Sequence, residues 1–326
     1  MQISFIIATL NESLRIEKCL SAIRSQNYNQ ELVEIIVCDG GSEDNTVELA
    51  EKYGCVILRN KLRTAETGMQ LGASASRGAL VTALAADNYL VGNNWISDIV
   101  NAFNSLPEIM AIFPQVVVDP TDNSFSQYYT KMYCDPFNKF VFGDAANPNN
   151  FKNIYKLLLD KNNILVYDMK KQPPLIALAQ AFTYRSSWLR PPSSLHDDII
   201  PVWSLIESNQ LLAYYPNLHI YHNSFNGFLH FVKKFFYRSS NALQHGFKSR
   251  AASLPWAYKA RILLWFLYSG TIIGPVVHSV KWAFKDREIS WLWHGPACVA
   301  LTGSILFGAL RSLFISNYIF ILYNNR

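Results

Sequence analysis

The chain has 326 residues, half of them hydrophobic, and a formal net charge of +5. This length allows one large α/β domain with an appendage, because single domains usually hold roughly 100–200 residues. The modest charge argues against a nucleic-acid-binding protein. The five cysteines are odd in number and no pair has metal-ligand spacing, so structural thiols in a reducing compartment are expected rather than zinc or disulfide sites.

Strand and helix patterns alternate over about residues 1–120, as in βαβ units. The first strand follows Met1 directly and no signal-peptide pattern precedes it, so we expect the soluble part to stay in the cytosol. Short apolar strands separated by helices predict a mostly parallel sheet covered on both faces. The predicted strands are residues 3–8, 35–38, 56–58 and 79–84, and the predicted helices are residues 12–24, 45–52 and about 65–76.

The composition changes near residue 228, after a less regular, loop-rich middle region. From there apolar residues recur with helical spacing on one face, and basic residues lie on the other face. This pattern predicts an amphipathic helix at a membrane interface. Its basic face contains Lys233, Lys234 and Arg238.

Two long apolar stretches follow, residues 262–280 and residues 292–310 with a further run to residue 323. Each contains about 19 residues, in the lower part of the range for a membrane-spanning helix. Five tryptophans lie near their ends, as in an aromatic belt. A buried hairpin of core helices is the alternative. Basic residues precede the first stretch and also lie between the two, so spanning helices and a shallow re-entrant hairpin both remain open.

Polar residues follow three of the predicted strands, in residues 8–12, 39–46 and 84–88. Ligands of open α/β sheets bind in the crevice beyond the carboxyl ends of the strands. There Asp39 can accept an N–H from a nucleobase, and Asp87 can hold a divalent cation against a diphosphate. Plain turns and helix caps are the alternative for all three segments. The glycine fingerprints of dinucleotide and Walker sites are absent from the sequence.

Two further polar groups lie later in the chain. Asp197 and Asp198 open a helical segment, where a carboxylate can take a proton from an attacking hydroxyl or can simply favour the helix dipole. His222 ends a strand-like run, where an imidazole can bind a metal or phosphate or can be structural.

Taken together, these motifs resemble the family 2 glycosyltransferases with the GT-A fold, over about residues 1–240. Residues 8–12 look like the family's P-T-x-N-E, with Ala8 in place of Pro, and residues 39–46 are similar to its D-x-x-S-x-D-x-T turn. The helix at residues 64–72 resembles the next family helix. Asp198 matches the Asp of the E-D motif, with Asp197 replacing the Glu. The run from residue 216 to His222 looks like the strand behind that motif.

The resemblance implies a role for each group. Asp39 would read the uracil or other base of a nucleotide-sugar donor. Asp87, together with His222, would bind Mg²⁺ or Mn²⁺ on the diphosphate. Asp198, beside Asp197, would be the base in a direct, inverting displacement. The rest of the predicted donor site comprises Thr9, Asn11, Glu12, Gly41 and Arg63.

Membrane members of the family that act on polyprenyl-diphosphate-linked acceptors have a similar basic helix and C-terminal membrane segment. The resemblance therefore implies that the phosphates of a lipid acceptor pair with three cations of this chain. These are Lys233, Lys234 and Arg238.

The chain departs from the family pattern in one important place. The family's D-x-D reads Ala85, Ala86, Asp87 here, so the first carboxylate is missing. This leaves metal dependence and full activity open. The Q-x-x-R-W motif of processive members is also absent, which favours a single addition over polymer synthesis.

The sequence thus predicts a GT-A domain at residues 1–225, amphipathic interfacial helices at 226–258 and membrane helices at 259–326. The expected activity is non-processive, inverting transfer from a nucleotide-diphosphate sugar, a UDP-sugar first, to a lipid-linked acceptor in polysaccharide or glycolipid biosynthesis. The expected partners are that donor, that acceptor and a membrane, with the catalytic domain on the cytosolic face. The alternatives are a polyprenyl-phosphate sugar transferase and a catalytically degenerate scaffold that binds sugar nucleotides.

Overall fold

The computed structural model describes residues 1–171, 174, 178–188, 199–242 and 256–324, and it describes no side chains for 240–242 and 312–324. The chain forms two compact units. Unit 1 comprises Met1–Asp119 and Asn147–His222, and unit 2 comprises Pro120–Ala146 and Asn223–Arg326. Both units are discontinuous along the chain, whereas the predicted domains follow one another, and the predicted boundaries at residues 225 and 258 stay predictions.

The strands are β1 (Ile3–Thr9), β2 (Val33–Asp39), β3 (Val56–Arg59), β4 (Leu80–Ala85), β5 (Asn88–Leu90), β6 (Ile109–Val117), β7 (Leu157–Lys161), β8 (Ile164–Tyr167), β9 (Phe182–Arg185) and β10 (Leu211–His222). The helices are α1 (Ser13–Arg24), α2 (Thr46–Lys52), α3 (Ala65–Ala75), α4 (Trp95–Ser105), α5 (Ser124–Met132), α6 (Pro136–Phe142), α7 (Ile200–Glu207), α8 (Phe228–Ala242), α9 (Trp256–Gly270), α10 (Ile273–Asp286) and α11 (His294–Asn324). Four short 3-10 helices lie at Gln30–Leu32, Gly143–Ala146, Pro148–Asn153 and Ile289–Trp293.

Unit 1 is built on a mixed sheet with the strand order β3-β2-β1-β4-β9-β6-β10-β8-β7, and β5 pairs with β10. The first four strands along the chain are parallel neighbours, which confirms the predicted parallel sheet for this half. Antiparallel β9 joins β4 to β6, and antiparallel β8 and β7 extend the other side. The seven elements predicted up to residue 85 are all present, each with ends within two residues of the prediction.

Alternating residues of the strands enter two separate cores, one on each face of the sheet. Phe5 and Ile35 pack under α1 and α4, whereas Ile6 and Ile36 pack on the opposite face. Because strand side chains point to opposite faces with a period of two, near-continuous apolar runs are needed where both faces are covered. The sequence prediction of a doubly covered sheet is therefore confirmed.

Helix α3 approaches the sheet more closely than an ordinary helix can. A Cβ atom on Gly72 would lie 2.2 Å from Ile6 Cγ2 and 3.1 Å from Cys38 Sγ. No side chain larger than a hydrogen atom fits there, so this residue sets the distance between α3 and the β1–β2 pair. The helix begins at Ala65, and the side chain of the preceding Thr64 accepts a hydrogen bond from the Thr67 backbone N–H as an N-cap.

Unit 2 is helical and has an aromatic core that includes Phe125, Tyr128, Phe225, Phe231 and Trp265. Helix α8 supplies Phe231, which is fully buried, and packs three further apolar side chains against this core. The sequence predicted a membrane contact for this apolar face, but protein covers most of it. An interfacial position for α8 stays a prediction.

The first long apolar stretch, residues 262–280, is not one straight helix; the sequence had left spanning helices and a shallow re-entrant hairpin open. Helix α9 ends at Gly270, α10 begins at Ile273, and the two axes are bent by 83°. Pro275 lies in the first turn of α10, where its missing N–H costs no helical hydrogen bond. In the described part of the chain, one straight stretch, Ile289–Arg311, is long and apolar enough to cross a membrane.

Candidate functional site

The candidate site begins with two residues that end neighbouring strands. Thr9 ends β1, Asp39 ends β2, and the two residues are partners in the parallel register. Ala85, the last residue of β4, is the register partner of Ala8 on the other side of β1. The carboxyl ends of these three strands therefore lie side by side, at the edge where α/β sheets bind ligands.

The Asp39 carboxylate is almost fully buried and accepts four hydrogen bonds. One oxygen accepts the backbone N–H groups of Gly41 and Ser42, at 2.8 and 2.9 Å. The other accepts the Ser42 hydroxyl at 2.5 Å and the Thr9 hydroxyl at 3.2 Å. Burial raises the pKa of this carboxyl, but the hydrogen bonds outweigh burial and leave its pKa below the usual value.

The loops that follow β1 and β2 are joined by reciprocal hydrogen bonds. The Asn11 amide N–H donates to the Ser42 hydroxyl at 2.8 Å, and the Glu43 N–H donates back to the Asn11 side chain at 2.8 Å. Asn11 has a φ of 55°, a left-handed conformation that Asn tolerates better than most residues. The two loops are therefore fixed relative to each other.

A second link joins the same loops at the starts of α1 and α2. The Glu12 N–H donates to the Thr46 hydroxyl at 2.8 Å, and the Ser13 N–H donates to Asp44 at 3.1 Å. Asp44 also accepts the Thr46 N–H at 3.0 Å. Desolvation raises the pKa of Asp44, but the hydrogen bonds from Thr46 and Ser13 together outweigh it and lower the pKa to about 2. The D-x-x-S-x-D-x-T segment, residues 39–46, thus holds the loop after β1 against the loop after β2.

Three other residues of the predicted donor site, Gly41, Glu12 and Arg63, lie in or beside these loops. Gly41 has a φ of +87° and open space around it, so glycine is favoured there by backbone conformation. The Glu12 carboxylate pairs with Arg15 at 3.3 Å. Arg63 is exposed, and a Cβ atom on Gly40 would lie 3.4 Å from its Cα. The structure thus brings the backbone of Arg63 to the turn after β2.

Asn60 was missed by the sequence interpretation. It lies one residue beyond the end of β3 and is buried. Its N–H donates to the Asp39 carbonyl at 2.7 Å, and its side-chain amide bonds the carbonyl of Thr64 and the hydroxyl of Thr67. It therefore ties the end of β2 to the start of α3. Inspection of the residue after every strand, including β3, would have found it.

A second missed group lies beyond β6. Asp119, whose side chain is almost fully buried, accepts a hydrogen bond from Lys18 at 2.9 Å. The same ammonium lies 4.3 Å from the centre of the Tyr89 ring. Lys18 of α1 thus contacts Tyr89 of β5, two residues after Asp87, and Asp119, two residues beyond β6.

Asp87 and His222 are brought together, as the sequence predicted for a shared role. Asp87 lies in the turn between β4 and β5, and His222 ends β10 opposite Asn88. The imidazole Nε2 lies 3.6 Å from the Asp87 carboxylate, and both side chains are only partly exposed. Asn88 is fully buried and accepts the Ala85 N–H at 3.2 Å, which fixes the turn.

The Asp87 and His222 pair suits a divalent cation in one specific way. Within the described residues, no group of three or more His, Cys, Asp or Glu side chains is arranged to hold a metal. Mg²⁺, however, is usually held by one or two carboxylates together with the oxygens of a substrate phosphate and water. A carboxylate with an adjacent imidazole therefore fits an ion that arrives with a diphosphate.

The remaining predicted residues fall into two groups. Asp197 and Asp198 lie outside the described residues, which resume at Ile199 just before α7. Lys233, Lys234 and Arg238 belong to unit 2.

On α8, Lys233 and Arg238 are exposed, and the Lys234 ammonium lies 5.1 Å from the centre of the Phe225 ring. Arg238 also lies near enough to the buried Asp135 carboxyl to lower its pKa, although burial dominates and the pKa of Asp135 is raised overall. Two of the three cations therefore have solvent-exposed charges.

Comparisons with known proteins identify the family of the chain. The family model described as "Glycosyl transferase family 2" matches residues 4–170, just over half of the chain. The curated protein "Glycosyltransferase AglE" of Haloferax volcanii is 31% identical over 91 residues, which span 26% of this chain and 30% of that protein. The match therefore covers less than a third of the curated relative's length.

Solved structures show a likeness of fold. The mannosyltransferase PcManGT of Pyrobaculum calidifontis, solved with GDP-Man and Mn²⁺, aligns over 94% of this chain and 87% of its own, with 12% identity and a TM-score of 0.54. S. aureus TarS 1–349, solved with UDP-GlcNAc, aligns over 89% of this chain and 78% of its own, with 15% identity and a TM-score of 0.48. Full TarS is covered to 43%. The chain has the GT-A fold and belongs to glycosyl transferase family 2.

Proposed function

We propose that the chain is an inverting, non-processive glycosyltransferase that moves a sugar from a nucleotide-diphosphate donor to a membrane lipid-linked acceptor, in polysaccharide or glycolipid biosynthesis. The observation that carries the proposal is the row of polar groups at the carboxyl ends of neighbouring strands. Asp39 with Thr9 occupies one position in this row, and Asp87 with His222 occupies the other. A family 2 chain with this arrangement has a place for a base and a place for a diphosphate.

Asp39 is the proposed reader of the base. A carboxylate oxygen can accept two hydrogen bonds, and both oxygens of Asp39 already do so. The Thr9 bond, at 3.2 Å, is the longest of the four. An imino N–H of the base would replace this weakest partner, while Gly41 and Ser42 keep the carboxylate oriented and ionised. Asn11 and Glu12 shape the loop beside the base, and the exposed Arg63 supplies positive charge near the diphosphate.

The proposed chemistry is a single displacement. Asp198, beside Asp197, takes the proton of the acceptor hydroxyl as the acceptor oxygen forms its bond to the anomeric carbon. The bond between that carbon and the diphosphate breaks on the opposite side, and its electron pair leaves with the nucleoside diphosphate. Asp87 and His222 would hold Mg²⁺ or Mn²⁺, which when bound stabilises the negative charge on the leaving group. The mannosyltransferase of similar fold was solved with Mn²⁺ and a nucleotide sugar.

The acceptor and the location are proposed from unit 2. Lys233 and Arg238 present exposed cations on α8, with Lys234 beside them, and such cations pair with the phosphates of a lipid-linked acceptor. The apolar stretch Ile289–Arg311 supports membrane attachment. We place unit 1 on the cytosolic face, where nucleotide sugars are present.

A donor screen tests the function. The purified chain, in detergent with a lipid extract, is given UDP- and GDP-sugars with Mn²⁺, and nucleoside diphosphate release is measured. We expect release with one donor, a UDP-sugar first. The Asp198→Asn variant should release the nucleoside diphosphate about a hundred- to ten-thousandfold more slowly, because general base catalysis contributes 10²–10⁴ in rate. The same variant should bind the donor normally, and full activity in it would refute the role of Asp198.

A second candidate, a catalytically degenerate sugar-nucleotide-binding protein, is favoured by one observation. Ala85 ends β4 where the family usually has a carboxylate, so Asp87 has a His partner instead of a second Asp. In that case the donor binds but no nucleoside diphosphate is released with any sugar or metal. Restoring the carboxylate with Ala85→Asp then serves as a diagnostic, because a gain of release would identify the missing group as the cause.

A further inference from the structure

Unit 2 exposes an apolar surface around the bend between α9 and α10. The chain has no Asp, Glu, Lys or Arg from residue 262 to residue 280. Eight large apolar side chains of this segment are between 42% and 71% exposed, on both sides of the bend. A continuous exposed surface of this kind is typical of a binding or membrane surface. The side chains are Leu263, Leu264, Leu267, Ile272, Ile273, Val276, Val277 and Val280.

The dimensions of the bend decide how it can meet a bilayer. The arm from Arg261 to Gly270 is about 14 Å long at 1.5 Å per residue, and the arm of α10 up to Lys281 is similar. With the axes bent by 83°, the two ends are only about 21 Å apart, less than the ~30 Å of a hydrocarbon core. The segment is therefore too short to cross a membrane in its observed conformation.

The charges at the two ends favour the same conclusion. Lys259 and Arg261 precede the apolar segment, and Lys281, Lys285 and Arg287 follow it. Trp256 and Trp282 lie at the same ends, and Trp and Tyr concentrate at membrane–water interfaces. Both ends thus have the composition of an interface, and the bend between them has the composition of the hydrocarbon region.

Contacts inside unit 2 hold the bend in place. The Tyr268 hydroxyl bonds His278 at 2.8 Å across the bend and His294 of α11 at 2.9 Å. The Ser269 and Thr302 hydroxyls are 2.5 Å apart. These bonds link α9, α10 and α11 from the side opposite the exposed apolar surface, so straightening of the segment would break them.

The same contacts give the distance between the tip and the later part of α10 along the axis of α11. Near the tip, Ser269 meets Thr302 of α11, whereas further along α10 the Ser279 hydroxyl accepts the N–H of Gly295 at 2.9 Å. Thr302 and Gly295 are seven residues apart, about 10 Å along α11. The two arms of about 14 Å, bent by 83°, place the tip about 10 Å from the line between their ends, and this is the depth of the tip when both ends lie level at the interface.

We infer that α9 and α10 form a re-entrant wedge that enters one leaflet of an anionic membrane to about a third of its hydrocarbon thickness, with both basic ends on the same face. The occupant of the apolar surface is lipid, because cations flank it at both ends and would pair with anionic headgroups. The inference rests on the proposed membrane attachment and adds its topology. It makes no statement about whether α11 spans.

Cysteine labelling of the full chain in native inverted membranes tests the wedge. One cysteine is introduced per variant at an exposed position beyond each end, Ala257→Cys or Asp286→Cys. Cys55 and Cys134, the two partly exposed native thiols, are changed to Ser, and the three buried native thiols are kept. A membrane-impermeant maleimide should label the same fraction of both variants from the outside. A spanning segment would instead give two fractions that add up to one, and this result would overturn the proposal.

A third variant, Ile273→Cys at the tip, tests the lipid occupant. It should resist the impermeant reagent from both faces, and a fluorophore attached to it in detergent should be quenched in vesicles by lipids brominated near the upper part of the acyl chain. Labelling from water, or a disulfide between two copies at this residue without quenching, would show another occupant and refute the wedge. Nucleoside diphosphate release in the same membranes is measured in parallel. If release is intact but the cysteines are labelled in the pattern of a spanning segment, the wedge is refuted and the proposed function is not.

Discussion

Strand β2 carries a buried carboxylate at each end, and the two ends are built alike. Glu34 follows its first residue, and Asp39 is its last. Their register partners on β1 are Ser4 and Thr9, and each hydroxyl donates to its carboxylate, at 2.6 and 3.2 Å. The same hydroxyl–carboxylate pair is thus repeated along one pair of strands.

The ends differ in what balances the negative charge. Arg77 donates to Glu34 through Nε at 2.8 Å and forms an ion pair with it. In the described part of the chain, the hydrogen bonds that the Asp39 carboxylate accepts come from neutral groups, namely Thr9, Gly41 and Ser42. Arg77 therefore neutralises the carboxylate of Glu34, at the end of β2 that is away from the ligand edge. At the ligand end of the sheet the carboxylate keeps a charge that can attract an N–H of a nucleobase.

The largest expected effect comes from neutralising each carboxylate in turn. In Asp39→Asn the amide oxygen can still accept the Gly41 and Ser42 N–H groups, while the amide nitrogen faces the hydroxyls and cannot accept a base N–H. Loss of a hydrogen bond to a charged group costs about 1.5–3 kcal/mol, so donor affinity should fall about ten- to hundredfold. Isothermal titration with UDP and GDP measures this loss.

Glu34→Gln is the matched control for that experiment. It removes a carboxylate of similar burial from the same strand, and we expect it to lower stability but to change donor affinity by less than about twofold, because the site lies at the other end of β2. Equal losses of affinity in the two variants would show that the ends do not differ as proposed.

Local patterns were sufficient to predict this strand pair and its ligand end. The apolar runs of β1 and β2 are short and continuous, and each is followed at once by polar residues, so Thr9 and Asp39 could be assigned to one edge. Asn60 was missed because the run of β3 was taken to end at Leu58, whereas the strand continues to Arg59. One residue of error at a strand end was enough to remove a buried amide from consideration.

The second half of the sheet could not be predicted in the same way. Strand β5 has only three residues, and its pairing with β10 joins Asn88 to His222 across a long stretch of chain. No periodicity in three residues identifies such a partner, and antiparallel β9 depends on similar long-range pairing. The pairing of Asp87 with His222 came from the family resemblance rather than from local pattern.

The position of the break in the first apolar stretch was predictable but was not predicted, although a re-entrant hairpin was left open. Residues 262–280 were interpreted from hydropathy and from the tryptophans and basic residues near the ends, none of which registers backbone geometry. Gly270, Gly274 and Pro275 lie in the middle of the stretch, and a helix tends to end before the residue that precedes a proline. The direction of the bend, by contrast, depends on contacts of Tyr268 and Ser269 with α11, which sequence patterns do not reveal.

Two serines, Ser4 beside Glu34 and Ser42 beside Asp39, give a second comparison of the two ends, with smaller expected effects. Ser4 donates to Glu34 and accepts the Gly78 N–H at 2.9 Å, whereas Ser42 donates to Asp39 and accepts an N–H from the other loop. Ser4 is fully buried, so Ser4→Ala leaves buried groups without partners and should lower the free energy of unfolding by about 2–3 kcal/mol.

Ser42 is partly exposed, and water can replace its hydroxyl. Ser42→Ala should therefore cost only about 1 kcal/mol of stability but weaken donor binding, because Asp39 loses one of the bonds that orient it. Urea denaturation and UDP titration of both variants separate the two quantities. A larger stability loss in Ser42→Ala than in Ser4→Ala would contradict this account of the two ends.

The smallest effect is the response of the two ends to acid. Burial raises the pKa of Glu34, but the bonds from Ser4 and Arg77 and the Arg77 charge leave it lowered overall, and the pKa of Asp39 is lowered by its neutral donors. As the pH falls, both carboxyls are therefore protonated at a higher pH in the unfolded chain than in the folded one. Each carboxylate therefore stabilises the fold fully above its ordinary pKa, about 4.3 for Glu and 3.9 for Asp, and this contribution is lost as the pH falls through the folded value.

The stability difference between the natural chain and Glu34→Gln should accordingly be constant from pH 7 to about pH 5 and narrow below about pH 4.3, whereas that for Asp39→Asn should narrow only below about pH 3.9. High salt should affect the stability contributions of the two carboxylates differently. Arg77 is mostly exposed, so high salt should reduce the Glu34 contribution more than that of Asp39, whose partners are neutral. Urea denaturation between pH 3 and pH 7 at low and high salt measures both trends. Differences that widen with acid would mean that these carboxyls are protonated in the fold, and would remove the basis for Asp39 as an ionised reader of the base.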